Sequence, residues 1–112
     1  MQKLSLDAQV REQLERAVAS SAGRSATTVY GGHERDLRQT LIALKAGTSL
    51  TEHENPGEAT LLVLRGRVRL HSGETSWDGM SGDFLVVPQA RHGLEALEDA
   101  AVLLTVAKAG AA

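Results

Sequence analysis

Two histidines and an asparagine are the side chains of this sequence whose chemistry could build a site. His53 and Asn55 stand in the stretch GTSLTEHENPGEATLLVLRG, between two apolar runs, and His92 stands in GDFLVVPQARHGLEAL, just after another. Imidazole nitrogen binds transition metals and zinc, and it also donates and accepts hydrogen bonds. These residues therefore suit either a metal site or a set of polar groups in a partly solvated pocket.

The remaining histidines and hydroxyl groups give weaker signals. His33, in GGHERD, is predicted to be a solvated turn residue, with the alternative that its loop brings it to the site. His71 is predicted to be exposed. No arrangement of Ser, His and Asp indicates nucleophilic catalysis, and no glycine-rich loop precedes a helix to hold phosphate.

Size and composition limit the classes of function. The 112 residues suffice for a single domain, 1–112, with one hydrophobic core. A net charge of -2 gives no electrostatic reason to bind nucleic acid. Without cysteine there is neither a disulfide nor a thiolate metal site, and without a long apolar run there is no membrane span. We expect a cytoplasmic protein with no nucleic-acid or membrane partner.

The first element that must support the site is a helix over residues 6–21. Its apolar residues recur at spacings of three and four, as on one face of an amphipathic helix. Ser5 or Asp7 can cap its start, and Gly23 can supply a left-handed stop.

After Gly23 the pattern becomes one of short apolar runs separated by turn residues, which is typical of strands in a sandwich or barrel. The predicted strands are residues 27–31, 37–46, 49–53, 59–65, 67–72, 74–77, 83–88, 93–97 and 101–107.

The strands over residues 59–65 and 101–107 are apolar on both faces. In the strand over residues 59–65, Leu61 and Val63 alternate with Leu62 and Leu64, so one pair faces the interior and the other faces outward. The helix can cover part of such an outer face. The part of the apolar face that the helix leaves uncovered would attract another chain. We therefore expect a homodimer.

The spacing of the glycines, histidines and proline resembles that of the cupin family. The first cupin motif, G-x5-H-x-H-x3-E-x6-G, is matched by Gly47, His53 and Gly66, and the second, G-x5-P-x-G-x2-H, by Gly82, Pro88 and His92, although His92 lies one residue closer to the proline. The resemblance implies an all-β double-stranded β-helix, or jelly-roll barrel, over residues 27–107 with one N-terminal helix.

In cupins, two histidines and the glutamate of the first motif, with the histidine of the second, hold a divalent metal. Here Asn55 stands at the second histidine position and Ala59 at the glutamate position. Glu58 neighbours the glutamate position and would point to the opposite face unless a bulge turned it inward. The resemblance thus implies at most a weakly bound divalent metal, held by His53 and His92.

The expected function is that of a small single-domain cupin that binds a small molecule, or acts in sensing or regulation, without catalysis. The alternative is a metal-dependent enzyme of the dioxygenase or isomerase type that uses His53 and His92. A structural protein without a ligand is a third possibility. The predicted pocket residues are His53, Asn55, Leu61, Val63, His92 and Leu94.

Overall fold

A computed structural model describes residues 3–53 and 57–108, in which one helix precedes nine strands. The elements are α1 (Leu6–Ala19), β1 (Arg24–Tyr30), β2 (Leu37–Leu44), β3 (Ser49–His53), β4 (Gly57–Arg65), β5 (Arg67–Ser72), β6 (Thr75–Met80), β7 (Phe84–Val87), β8 (His92–Ala96) and β9 (Ala100–Lys108).

Helix α1 starts and stops at local signals. Ser5 is its N-cap, and the Ser5 hydroxyl accepts a hydrogen bond from the Ala8 N–H at 3.2 Å. The helix ends at Ala19, two residues before the predicted end, because Ser20 already has an extended backbone. Gly23 follows with a φ of 71°, and β1 starts directly after it, earlier than predicted. In the part of the chain that the structure describes, no helix is long and apolar enough to cross a membrane.

The strands form two sheets that face each other. Sheet A has the order β1-β2-β9-β4-β7, and sheet B has the order β3-β8-β5-β6. Within the described residues the strand pairings are all antiparallel, and each of the nine predicted runs overlaps one strand. The predicted all-β jelly roll with one helix at its N-terminal side is confirmed.

The inner faces of the two sheets enclose the main hydrophobic core. Along β4, Leu61 and Val63 point inward, as their alternation predicts, and both are buried. The buried residues of this core are Leu44, Ala59, Leu61, Val63, Val68, Leu70, Val87, Leu94, Ala96, Ala100, Val102 and Val106.

The outer face of sheet A is covered in part by α1. Val10 of the helix packs with Leu41 and Ala101 in a second buried cluster, which Leu64 of β4 joins at its margin. The helix also reaches β1, because the Ser25 hydroxyl donates a hydrogen bond to the Gln13 side-chain carbonyl. The helix contacts β1, β2 and, to a smaller extent, β9. Beyond this cluster, Phe84 and Val86 on the outer face of β7 are exposed.

The outer face of sheet B is polar. Arg69 donates two hydrogen bonds to the Asp78 carboxylate, at 2.7 and 3.0 Å, across the β5–β6 pair. These hydrogen bonds lower the pKa of Asp78 and raise that of Arg69. Both side chains are exposed to solvent, so the ion pair contributes little to stability.

Strands β3 and β7 finish, and β4 and β8 start, on the same side of the barrel. This side is called the barrel mouth. At the opposite end, β4 passes into β5 through Gly66, and the chain crosses from sheet A to sheet B. Gly66 has a φ of 76°, and a Cβ atom on it would lie 2.1 Å from the carbonyl oxygen of Asp99. Only glycine meets both requirements without strain.

We expect Gly66→Ala to destabilise the protein more than Gly47→Ala. Gly47 also has a positive φ, of 87°, but a Cβ atom there meets nothing within 4 Å. Gly47→Ala should therefore lower the free energy of unfolding only by the cost of the left-handed backbone, about 1–2 kcal/mol. Gly66→Ala should lower it by roughly 1–3 kcal/mol more, since the methyl group also collides with the backbone. Urea unfolding measures both, and equal losses would contradict the close approach at Gly66.

Candidate ligand pocket

A small cavity lies between the two sheets, on the mouth side of the core. It offers about 30 Å³ to the centre of a water molecule, which is room for one or two waters rather than for a large ligand. Seven of the side chains around it are apolar, and His92 supplies the polar group. The lining residues are Ile42, Leu50, Leu61, Leu70, Val87, His92, Leu94 and Leu104.

His92 is held in a defined orientation at the start of β8. The ring is 4% exposed, and its Nδ1 lies 2.9 Å from the carbonyl oxygen of Ala90. Because a carbonyl can only accept, Nδ1 carries the proton in this contact. The preceding loop is fixed by the Ser72 hydroxyl, which donates to the Arg91 carbonyl at 2.8 Å.

The structure brings three of the six predicted pocket residues to the cavity, namely Leu61, His92 and Leu94. Val63 is fully buried in the same core, but its backbone pairs with Val102 farther from the mouth, and it does not line the cavity. His53 ends β3 at the position whose backbone pairs with His92. Asn55 lies outside the described residues. The roles of these residues remain predictions.

Two polar residues on the inner face of β2 were missed by the sequence reasoning. Thr40 pairs with Leu104, which lines the cavity, and Arg38 pairs with Val106, which is buried in the core. Directly opposed residues share one face of a sheet, so Thr40 and Arg38 face the barrel interior. Alternation along β2 separates its two faces, but it does not say which of them is inward.

The donors in the described residues do not fit a complete cupin metal site. Ala59, at the glutamate position, is on the inner face, is 4% exposed, and offers only a methyl group. Glu58 is exposed and pairs with Ala107, so it lies on the outer face of sheet A. Across residues 3–53 and 57–108, no three His, Cys, Asp or Glu residues are grouped to hold a metal.

The other two histidines lie away from the cavity lining. His33 is exposed in the loop between β1 and β2. His71 is partly buried on β5, where its ring covers Gly93: a Cβ atom at Gly93 would lie 2.7 Å from the His71 Cε1. Leu70, its neighbour on β5, lines the cavity, so His71 faces the outer side of sheet B.

No protein-family model matches this sequence, and neither does any curated protein. Solved structures of similar fold do match. A conserved Streptococcus pyogenes protein of unknown function, SPY1581, is 26% identical, with a TM-score of 0.73 over 82% of this chain and 80% of that one. An RmlC-like cupin from Desulfovibrio desulfuricans is 27% identical, with a TM-score of 0.65 over 75% of this chain and 81% of that one.

The same fold also occurs as part of a longer protein. An HTH_3 family transcriptional regulator from Vibrio cholerae matches 78% of this chain but 52% of its own length, with a TM-score of 0.66. The two sequences are 18% identical, so the likeness shows a shared fold alone.

We expect chelator to leave the melting temperature unchanged and added Ni²⁺ or Zn²⁺ to raise it only slightly at neutral pH. Two imidazoles are half of a four-ligand set, and Ala59 contributes no donor. The small rise should disappear in His53→Ala and below about pH 6, because a ligating imidazole must be unprotonated. His33→Ala, which removes an exposed histidine, is the control. A large drop with chelator, or a rise that survives His53→Ala, would show that the ligands are different ones.

Proposed function

We propose that this chain, which has the cupin fold of its structural neighbours, binds a small molecule in its barrel without catalysis, in a sensory or regulatory role. The observation that supports this proposal is the composition of the cavity wall, in which apolar side chains surround a single oriented imidazole, that of His92. Small-molecule sites are mostly apolar with a few placed polar groups.

The side chains that line the cavity include few groups that could transfer a proton. General acid–base catalysis needs a titratable group within hydrogen-bonding reach of the reacting atom and usually a second group to orient or complement it. Among the described side chains that line the cavity, His92 is the one titratable group, and the other seven are apolar, so none of them complements it. Binding is therefore the simpler use of this wall. The regulator from Vibrio cholerae shows that such a barrel can form part of a regulatory protein.

One observation favours the alternative of a metal-dependent enzyme of the dioxygenase or isomerase type. The backbones of His53 and His92 are directly paired across β3 and β8, at the barrel mouth. An enzyme of this kind would retain close to one equivalent of metal after purification, and would lose both metal and activity in His53→Ala. Elemental analysis of the untagged protein distinguishes it from the binding protein.

The binding proposal predicts that Val87→Ile weakens small-molecule binding while Val86→Ile does not. Val87 lines the cavity, so an added methylene group enters a space of about 30 Å³. Val86, its neighbour on β7, is 74% exposed on the other face of the sheet. A fragment set of small organic molecules can be screened by ligand-observed NMR with chelator present. We expect hits for wild type whose affinity falls about tenfold or more in Val87→Ile alone, from the loss of one buried apolar contact surface.

Two results would contradict the proposal. One is the lack of any hit with the wild-type protein. The other is a set of hits that Val86→Ile weakens as much as Val87→Ile, which would place binding on the surface rather than in the cavity.

We also propose that the outer face of sheet A is covered by a second copy of the chain. Leu103, Leu62 and Phe84 lie in register across β9, β4 and β7, and Val86 follows on the same face. Phe84 is 61% exposed, and this row carries no charge that would repel its own copy. Within the described residues β7 is an edge of sheet A, so two copies could also pair their β7 strands about a two-fold axis.

Phe84→Glu is expected to shift the protein from dimer to monomer. Four large side chains, Phe84 and Val86 of each copy, would be buried in the dimer at about 1.5–3 kcal/mol each, whereas buried glutamates would be unpaired. Met80→Glu is the matched control, because Met80 is similarly exposed but lies on sheet B. Sedimentation velocity at micromolar concentration measures the mass. A wild-type protein that sediments only as a monomer would contradict the proposal.

A further inference from the structure

We propose that the ligand of this barrel is a small carboxylic acid in its anionic form, and that Arg38 binds its carboxylate at the barrel mouth. The inference rests on the proposed binding function and adds the chemical class of the ligand. It starts from the position of Arg38, a residue that belongs to neither cupin motif.

Strand register places Arg38 on the inner face of sheet A. Arg38 pairs with Val106 of β9, Val106 pairs with Ala59 of β4, and Ala59 pairs with Val87 of β7. These three partners are buried in the core between the sheets. The pairing of β2 with β9 is regular from Leu37 to Leu44, so no bulge reverses the face on which Arg38 lies. Arg38 therefore belongs to the inner-face row that it forms with Val106, Ala59 and Val87, on the mouth side of the cavity, although Arg38 does not itself line the cavity.

No ion pair neutralises Arg38 within the described residues. Its side chain is partly buried and makes no hydrogen bond or ion pair in residues 3–53 and 57–108. Its partners in the row are aliphatic, and the nearest inner-face residue along β2 is Thr40. A partly buried cation in apolar surroundings is costly unless an anion accompanies it. A bound anion would offset that cost.

The shape and charge of the site favour a carboxylate over other anions. A guanidinium presents a planar fork of donors that matches the two oxygens of a carboxylate. One arginine neutralises the single charge of a carboxylate, whereas a phosphate monoester carries about two charges near neutral pH. The cavity next to this row is mostly apolar and offers about 30 Å³ to the centre of a water molecule, so it suits a short aliphatic chain better than a second polar group.

In this proposal the two ends of the ligand bind to different parts of the barrel. The carboxylate lies at the mouth against Arg38, and the hydrocarbon end points toward the apolar wall that includes Ile42, Leu61 and Leu104. The described side chains that line the cavity include no arginine or lysine that would pair with a second anionic group. A short monocarboxylate meets these conditions.

Butyrate and its neutral analogue butyramide test the assignment, because they are nearly the same in shape and differ in charge. Trp77, the single tryptophan, pairs with the cavity-lining Leu70, so its fluorescence can report binding beside calorimetry. We expect wild type to bind butyrate about tenfold or more tightly than butyramide. Arg38→Gln should remove this preference and leave butyramide binding unchanged, which also shows that the variant is folded. Arg38→Lys should keep part of the preference, since it retains the charge but loses the fork.

Arg67→Gln is the matched control, because Arg67 is exposed and begins β5 on the other sheet. It should leave both affinities unchanged. Equal binding of butyrate and butyramide to wild type would overturn the role of Arg38 while leaving the binding function in place. Tighter binding of inorganic phosphate or butyl phosphate than of butyrate would overturn the carboxylate assignment. If wild type bound neither butyrate nor any member of the fragment set, the proposed function would fail together with this inference.

Discussion

The burial of the two inner sheet faces against each other is the constraint on which the rest of the structure depends. Sheet A contributes residues such as Val63 and Val102, and sheet B contributes Val68 and Leu70. Aliphatic side chains pack at the density of organic crystals, so they leave only a small space between the sheets. Polar groups can then enter the barrel only where this packing ends, at the mouth, and that is where Arg38 and His92 lie.

The same packing constraint affects the position at which cupins carry a metal-binding glutamate. Ala59 stands where a cupin carries its glutamate, and here its methyl group belongs to the core, between Val87 and Val106. A carboxylate at this position would have to be desolvated and paired, whereas a methyl group needs neither. The apolar core of this barrel therefore includes the position of Ala59, on the side of the mouth.

The elements could be predicted from the sequence because each depends on local physics. Alternation of Leu61 and Val63 with Leu62 and Leu64 identified a strand with two apolar faces, and positive-φ glycines such as Gly66 marked the turns. What could not be predicted is the partner of each strand and its register, since these depend on contacts between distant parts of the chain. Arg38 was missed for this reason.

The same difference between local patterns and long-range contacts explains which residues of the site could be predicted. Leu61, His92 and Leu94 follow from the motif and from alternation, and all three line the cavity. Ile42 and Leu50 line it too, but only because β2 and β3 lie across the core from each other, on different sheets. The end of α1 was placed too late because the extended backbone at Ser20 is set by its contacts within the turn that leads to Gly23.

The place of β9 in sheet A has a consequence for the order of folding. β9 lies between β2 and β4, so these two strands have no contact in the sheet until the last described strand inserts between them. Leu44 pairs with Ala100 and Gly57 pairs with Lys108, so each pairing closes a long loop before it gains any packing. Such non-local pairing makes β-rich domains fold in milliseconds to seconds. On a ribosome, β2 can pair with β1 and β4 with β7, but the edges of β2 and β4 that face β9 stay unpaired until β9 is made.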